Sequence, residues 1–245
     1  MEFHIKDRIK PDAKILLIKL RSIGDVVYNT AVYSPIKKHL PNARLTVLVE
    51  SPSFEIIKNN PDIDEVLCFK KGTFFEQVKF YLKLIFNRYD VAIDMHEGTR
   101  GAVMCFLSFA RFKIGGKFAR RSFLYNTKIN FSDLKPTVPL DYQVALISKL
   151  GVPFENPQPI IHVSEVWRKN AHDLLTSKNF DPEKPYCIIH PGARKYDQWQ
   201  FEKFARIAEY FFTRFNLGII LTCGPGEFSQ VEKVIQCLSK KTPYT

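Results

Sequence analysis

The chain has 245 residues, of which 45% are hydrophobic and 25% are charged. This composition supports ordinary globular cores, in one large domain or two small ones, and excludes a disordered or fibrous protein. The 36 Lys and Arg residues against 25 Asp and Glu give a formal net charge of +11, which favours an anionic partner such as a nucleotide, a phosphorylated glycolipid, a membrane surface or nucleic acid.

Predicted strands and helices alternate in the first half of the chain. A strand-length apolar run begins at Lys14 as KILLIKL, RSIGD interrupts it, and VVYNTAVYSPIKKHL has the apolar spacing of a helix. The runs ARLTVLVE and EVLCF are again strand-like, and the helical pattern FFEQVKFYLKLIFNR leads into the strand DVAIDM. This alternation predicts a parallel, doubly wound α/β sheet.

The second half contains two breaks and then a second α/β unit. The proline-containing stretch 126–141 is predicted to be a long connection, and the break ENPQPI places a domain boundary within 153–159, giving domains 1–155 and 156–245. Beyond it, YCIIHPGA, FEKFARIAEYFFTRF, GIILTCG and a helix beginning near Glu227 predict a second Rossmann-like domain. With only two clear strands, that domain is expected to be incomplete.

Several local patterns limit the cellular setting. The N-terminal MEFHIKDRIKPDAK is charged where an export signal would be apolar, which predicts a cytosolic protein. The apolar run 102–110 is shorter than the roughly 20 residues that cross a bilayer, so any membrane association is expected to be peripheral. The five cysteines form no CxxC pair and are expected to be reduced core thiols, with no metal site. Aromatic residues in the helices FFEQVKFYLKLIF and FEKFARIAEYFFTRF are expected to pack inside, because they fall at core-like spacing.

The loop RSIGD lies between the first predicted strand and helix, where open α/β sheets bind their ligands. Gly24 would permit a tight turn and a close approach of a ligand. Asp25, at the start of the helix, has two possible roles: it could cap the helix, or it could act as a general base. The motif is not GxGxxG, which removes the main support for a dinucleotide-dependent oxidoreductase.

Several segments, taken in order, resemble one enzyme family. They are ILLIKLRSIGDVVYNTAVYSPIKKHLPNARLTVLVE, NNPDIDEV, YDVAIDMHEGTRGAVM, ARFKIGG and IIHPGARKYDQWQFEKFARIAEYF. Together they resemble the bacterial ADP-heptose:lipopolysaccharide heptosyltransferases of glycosyltransferase family 9, over nearly the whole chain. The resemblance implies a GT-B architecture of two Rossmann-like domains. The N-terminal domain would bind the acceptor, the C-terminal domain would bind an ADP-sugar, and the reaction would take place in the cleft between them.

The resemblance also implies a mechanism and an acceptor site. Asp25 would be the general base of an inverting displacement that requires no metal or other cofactor. The acceptor-binding residues would be Lys19, Arg21, Gly24, His96 and Arg100. Arg100 would meet a phosphate or carboxylate of the acceptor. The alternatives are that Lys19 and Arg21 are ordinary exposed charges and that His96 is simply solvated or hydrogen-bonded.

On the donor side, the resemblance points to the loop after YCII and to the start of the last helix. The donor-binding residues would be Gly192, Ala193, Arg194, Lys195 and Glu227. Backbone N–H groups of the HPGA loop can receive a diphosphate, although a plain strand-to-helix turn would have the same sequence. Relatives commonly carry Lys two residues before the Trp of this motif, whereas this chain has Asp197 before Trp199, so Arg194 or Lys195 would supply the charge. The DSGPxH-like donor loop of relatives has no match here.

The implied function is transfer of a heptose or related sugar from an ADP-sugar to the lipopolysaccharide inner core. The acceptor would be Kdo-bearing lipid A or its extended form, and the protein would be cytoplasmic, on the inner face of the inner membrane. The basic residues and interspersed phenylalanines of 111–123 suggest contact with an anionic lipid or glycolipid, unless they form a solvated face. A non-catalytic remnant that binds anionic glycolipid is the alternative. Nucleic-acid binding is not expected, because only basic charge supports it.

Overall fold

The computed structural model describes residues 4–135, 137–192, 198–239 and 242–245. The chain divides into two compact units, Met1–His162 and Val163–Thr245. The division therefore falls after the proline-rich break, not between residues 155 and 156 as the sequence predicts. The reason is that the segment following the break remains attached to the first unit, where the Ile160 N–H donates to Thr30 Oγ1 at 2.9 Å.

The first unit contains a parallel sheet of six strands. In chain order the strands are β1 Lys14–Ile18, β2 Arg44–Glu50, β3 Glu65–Phe69, β4 Val91–Asp94, β5 Phe112–Gly116 and β6 Thr127–Ile129. Their spatial order is β3-β2-β1-β4-β5-β6, which is the Rossmann arrangement, and the predicted doubly wound parallel sheet is confirmed. The strand order reverses between β1 and β4, where Ile18 lies opposite Asp94. In sheets of this kind, ligands bind beyond the carboxyl ends of the two strands at this point.

Helices cover both faces of this sheet. They are α1 Ile23–Asn29, α2 Tyr33–His39, α3 Ser51–Ile57, α4 Phe74–Phe86, α5 Thr99–Leu107 and α6 Pro139–Ser148. The sequence predicts one helix over VVYNTAVYSPIKKHL, whereas the structure divides it at a 3-10 turn, Thr30–Val32. Pro35 explains the division, because it has no N–H to donate to the carbonyl four residues earlier.

One strand lies inside the stretch that the sequence predicts as a connection. Residues Thr127–Ile129 form β6, which pairs in parallel with β5 and places Ile114 opposite Thr127. The prediction of a long connection over 126–141 is therefore wrong at its start. A strand of three residues with one buried side chain is too short to produce a recognisable alternation of apolar and polar residues.

The second unit is a smaller α/β layer. Its described elements are α7 Glu165–Ser177, β7 Tyr186–Ile189, α8 Phe201–Phe215, β8 Gly218–Leu221 and α9 Phe228–Cys237. The strands β7 and β8 are parallel, with Ile189 opposite Leu221, and Tyr244 forms an isolated parallel bridge to Ile219. The parallel strands with intervening helices confirm the α/β class predicted for this part of the chain.

Two expectations about burial are wrong. On α4, Leu84 is buried, but Phe74, Phe75 and Phe86 are largely exposed, so the aromatic residues of this helix do not all belong to the core. Cys223 and Cys237 are also exposed, because they lie at the end of the second unit's sheet and at the end of α9. Within the described residues, no helix combines the length and apolarity needed to cross a bilayer.

Candidate functional site

The Asp25 side chain is held in place at the N-terminus of its own helix, α1. Ser22 is the N-cap residue of α1, and its backbone N–H and hydroxyl donate to Asp25 Oδ2 at 3.0 and 3.2 Å. The capping role indicated by the spacing is therefore present. The other oxygen, Oδ1, has no hydrogen-bond partner among the described residues, and the side chain is half-buried. The geometry leaves one carboxylate oxygen able to accept a proton.

Gly24 lies within α1, one residue before Asp25. A Cβ at this position would meet no atom within 4 Å, and the backbone is helical, so neither a tight turn nor a close contact within the described residues requires a glycine here. Arg21, which precedes the N-cap residue, is exposed at the same edge of the sheet and is available to an anionic ligand.

Lys19, directly after β1, is buried. Its ammonium donates to the Met95 carbonyl at 3.0 Å. Burial lowers the pKa of this ammonium, while the carboxylates of Asp25, Glu97 and Asp94 act in the opposite direction. The alternative that Lys19 is an ordinary exposed charge is therefore wrong. Burial also restricts the direct acceptor contact expected of it, and the structure instead places its charge among three carboxylates.

Asp94 ends β4 and organises the loop that follows. Its Oδ1 accepts the backbone N–H groups of His96 and Glu97 at 2.9 and 3.1 Å, and its Oδ2 accepts the Tyr125 hydroxyl at 2.6 Å. Burial raises the pKa of this carboxyl to about 6, although these hydrogen bonds favour the charged form. Asp94 is not among the site residues that the sequence predicts. The available signal was a carboxylate at the end of an otherwise apolar strand.

Glu97 is a second carboxylate of this site that the sequence does not predict. Its backbone is left-handed, with φ of 55°, and its Oε2 accepts the Tyr142 hydroxyl. Oε1 is buried and makes no hydrogen bond of good geometry with the described residues. Burial raises the pKa of this carboxyl, while the Tyr142 hydrogen bond and the nearby Gly116 N–H act to lower it. A Cβ at Gly116 would overlap Oε1, so a glycine is required where β5 passes the carboxylate.

His96 and Arg100 lie on the same loop and the helix that follows it. Burial lowers the pKa of His96, and the nearby cations Lys19, Arg21 and Arg100 act in the same direction, which favours the neutral imidazole. Arg100 forms an ion pair with Glu50 at the end of β2, so an acceptor would share its guanidinium with that carboxylate. These residues therefore meet at the carboxyl ends of β1, β2 and β4.

Asp94 makes the stability of the protein dependent on pH. Its pKa rises from an ordinary value of 3.8 to about 6, so between these values the folded state keeps a proton that the unfolded state has released. The stabilisation is complete below the unfolded pKa and is lost as the pH rises through the folded pKa. We expect Asp94→Asn to remove a pH-dependent contribution on the order of 1–3 kcal/mol. Urea unfolding of both proteins from about pH 4 to about pH 7 measures it, and a constant difference between them across that range would contradict the assignment.

In the second unit, polar groups gather at the carboxyl ends of β7 and β8. His190 Nδ1 lies 3.2 Å from Thr222 Oγ1, and His190 Nε2 lies 3.9 Å from Glu227 Oε2. The same Glu227 oxygen accepts the Gly224 N–H at 3.1 Å. A Cβ at Gly192 would lie 2.6 Å from Glu227 Oε2, so the glycine permits a close approach. Two residues predicted for the donor, Gly192 and Glu227, are thus neighbours.

The other three predicted donor residues follow Gly192 directly in the sequence. Ala193, Arg194 and Lys195 lie outside the described residues, as does Asp197. Trp199, just beyond them, is partly exposed, and Lys203 Nζ lies 5.7 Å from the centre of its ring. Within the described ranges, no group of three His, Cys, Asp or Glu side chains is arranged to hold a metal ion.

Comparison with known proteins shows that this chain is similar to heptosyltransferases. The family model described as Glycosyltransferase family 9 (heptosyltransferase) matches residues 78–244. Lipopolysaccharide heptosyltransferase 3 of Escherichia coli (strain K12) is 25% identical over 217 residues, which cover 84% of this chain and 62% of that protein. The chain thus spans less than two thirds of the length of this curated relative.

Two solved structures show the same fold. The structure of the glycosyl transferase family 9 protein from Veillonella parvula DSM 2008 matches with a TM-score of 0.83 and 21% identity, over 100% of this chain and 70% of that one. An E. coli heptosyltransferase solved with ADP-2-deoxy-2-fluoro heptose matches with a TM-score of 0.70 and 18% identity, over 94% of this chain and 74% of that one.

Proposed function

The chain belongs to glycosyltransferase family 9, and we propose that it transfers a heptose or related sugar from an ADP-sugar to the inner core of lipopolysaccharide. The observation that carries this proposal is the half-buried Asp25 at the switch point of the first sheet, with one carboxylate oxygen held by Ser22 and the other without a partner among the described residues. A base that is oriented through one oxygen keeps the other for the substrate proton.

In the proposed reaction, an acceptor hydroxyl attacks the anomeric carbon of the donor and Asp25 takes the hydroxyl proton. A new C–O bond forms on one face of the sugar while the bond to ADP breaks on the other, and ADP leaves with the electron pair. The configuration at the anomeric carbon inverts. The positive charges near this edge, on Lys19, Arg21 and Arg100, favour an anionic acceptor.

The donor is proposed to bind the second unit beyond β7 and β8. Gly192 lets the side chains of Glu227 and His190 lie close to the backbone of the HPG turn, where the donor diphosphate is proposed to bind. The E. coli family member solved with an ADP-heptose analogue supports an ADP-sugar as the donor class. The proposed acceptor is Kdo-bearing lipid A or its extended form, which places the protein in the cytoplasm at the inner face of the inner membrane.

Isothermal calorimetry with ADP and ADP-heptose tests the proposal on this chain. We expect saturable binding of both ligands at one site, with each displacing the other, followed by transfer of heptose to a Kdo-lipid A acceptor. UDP is the matched nucleotide control, because it carries the same diphosphate on another base. Absence of ADP and ADP-heptose binding would contradict the transferase and favour a glycolipid-binding protein without catalysis. Salt-sensitive binding of DNA or RNA that ADP does not affect would instead indicate a nucleic-acid-binding protein.

A further inference from the structure

Helix α4 presents apolar side chains to solvent. Its inner side is formed by Leu84, which is buried, and by Phe80 and Tyr81, which pack against the same core cluster. The opposite side carries exposed residues at intervals of three and four, which align along one face of a helix. This set, the α4 stripe, consists of Phe75, Val78, Leu82 and Phe86. A surface helix normally turns charged or polar residues outward, so a continuous apolar row is a feature to be explained.

The surroundings of the α4 stripe are strongly basic. Residues 70–88 include five basic side chains and one acidic one: Lys70, Lys71, Lys79, Lys83, Arg88 and Glu76. The acid is engaged in its own helix cap, where it accepts the Thr73 backbone N–H at 2.7 Å. Lys83 is paired with Glu65, but Lys70, Lys71 and Lys79 form no ion pair within the described part of the chain. The positive charge around the stripe is therefore largely uncompensated.

We propose that the α4 stripe is the surface by which this protein inserts into an anionic lipid bilayer. An outward apolar row bordered by lysines is the pattern of a helix that lies in a membrane interface, with its apolar side chains among the acyl chains and its lysines at the headgroups. Each lysine near an anionic surface contributes on the order of 1 kcal/mol. The inference deepens the membrane location proposed above, but it does not depend on the sugar chemistry.

A second copy of the chain is the competing occupant of this surface. A two-fold interface would place the same patch of both copies together, and the unpaired lysines would then face their own counterparts. Like charges brought together in this way oppose association, whereas an anionic lipid surface neutralises them. The charge distribution therefore favours the bilayer.

The test is cosedimentation with vesicles of phosphatidylglycerol and phosphatidylcholine, compared with vesicles of phosphatidylcholine alone. The stripe variant is Phe75→Ser with Phe86→Ser, and the matched control is Phe118→Ser with Phe123→Ser, in the basic stretch 111–123. The replaced rings are similarly exposed, at 82% and 73% in the stripe and 76% and 73% in the control. Neither variant removes a core side chain, so both are expected to fold, which thermal unfolding verifies.

We expect the partitioning of the stripe variant to anionic vesicles to fall roughly tenfold or more, because two aromatic rings are no longer transferred from water into the bilayer. The control should stay within about twofold of the wild type. Loss in the control alone would overturn the inference and assign membrane contact to residues 111–123, while the proposed transferase would stand. Failure of the wild type to bind vesicles would overturn the inference and the membrane location, and ADP calorimetry would still test the transferase separately. A dimer that the stripe variant abolishes would show that a second copy covers α4.

Discussion

Replacing Asp25 by Asn is expected to lower the rate of sugar transfer by about 10²- to 10⁴-fold, the usual contribution of a general base, while ADP affinity stays the same. The amide is nearly the same size as the carboxylate, and its oxygen can still accept the Ser22 N–H that Asp25 accepts at 3.0 Å. It cannot take a proton from an acceptor hydroxyl. Transfer is measured by release of ADP from ADP-heptose, and binding is measured by calorimetry on the same preparation.

The capping contact of Asp25 requires its own control. Ser22→Ala removes the hydroxyl that donates to Asp25 Oδ2 at 3.2 Å but leaves the carboxylate in place. We expect a stability loss of about 0.5–2 kcal/mol, typical of a lost cap, and a transfer rate near that of the wild type at a temperature where both are folded. If the Ser22 variant loses as much activity as the Asp25 variant, Asp25 acts through the structure of the loop. A normal rate in the Asp25 variant would exclude it as the base.

Replacing Glu227 by Gln is expected to weaken ADP binding by about 10- to 100-fold, because hydrogen bonds to a charged acceptor are stronger than those to a neutral one. Glu227 stands at the start of α9, with His190 Nε2 3.9 Å away and Gly192 in close contact. The resemblance assigns this acidic position to the nucleoside part of the donor. Calorimetric titration with ADP measures the change.

Glu232→Gln is the matched control for Glu227. It removes the same charge from the same helix, at an exposed position without an ion pair or hydrogen bond among the described residues. ADP affinity should be unchanged in this variant. Equal weakening by both substitutions would mean that the net charge of the unit, and not a contact at Glu227, controls binding. An unaffected Glu227→Gln variant would remove this residue from the donor site.

Part of the site was accessible from the sequence because it depends on local patterns. RSIGD places Asp25 in the first turn of the helix that follows β1, and HPG followed by a helix places Gly192 in a strand-end turn. Two other residues were not found in this way. Asp94 is held by the Tyr125 hydroxyl, which is 31 positions away in the sequence. Glu97 is held by the Tyr142 hydroxyl, which is 45 positions away. No local pattern encodes such pairs.

The sequence by itself determined the family and most of the strands and helices, apart from β6 and the division between α1 and α2, because apolar periodicity and ordered motifs are properties of neighbouring residues. Strand β3, Glu65–Phe69, and helix α8, Phe201–Phe215, have the bounds that their patterns predict. Only the tertiary structure decided which faces are covered. Lys19 is buried against Met95, whereas Phe75 and Phe86 remain in solvent, opposite to what their residue types suggest. Burial depends on which distant segments pack against a position, and those contacts exist only after the chain has folded.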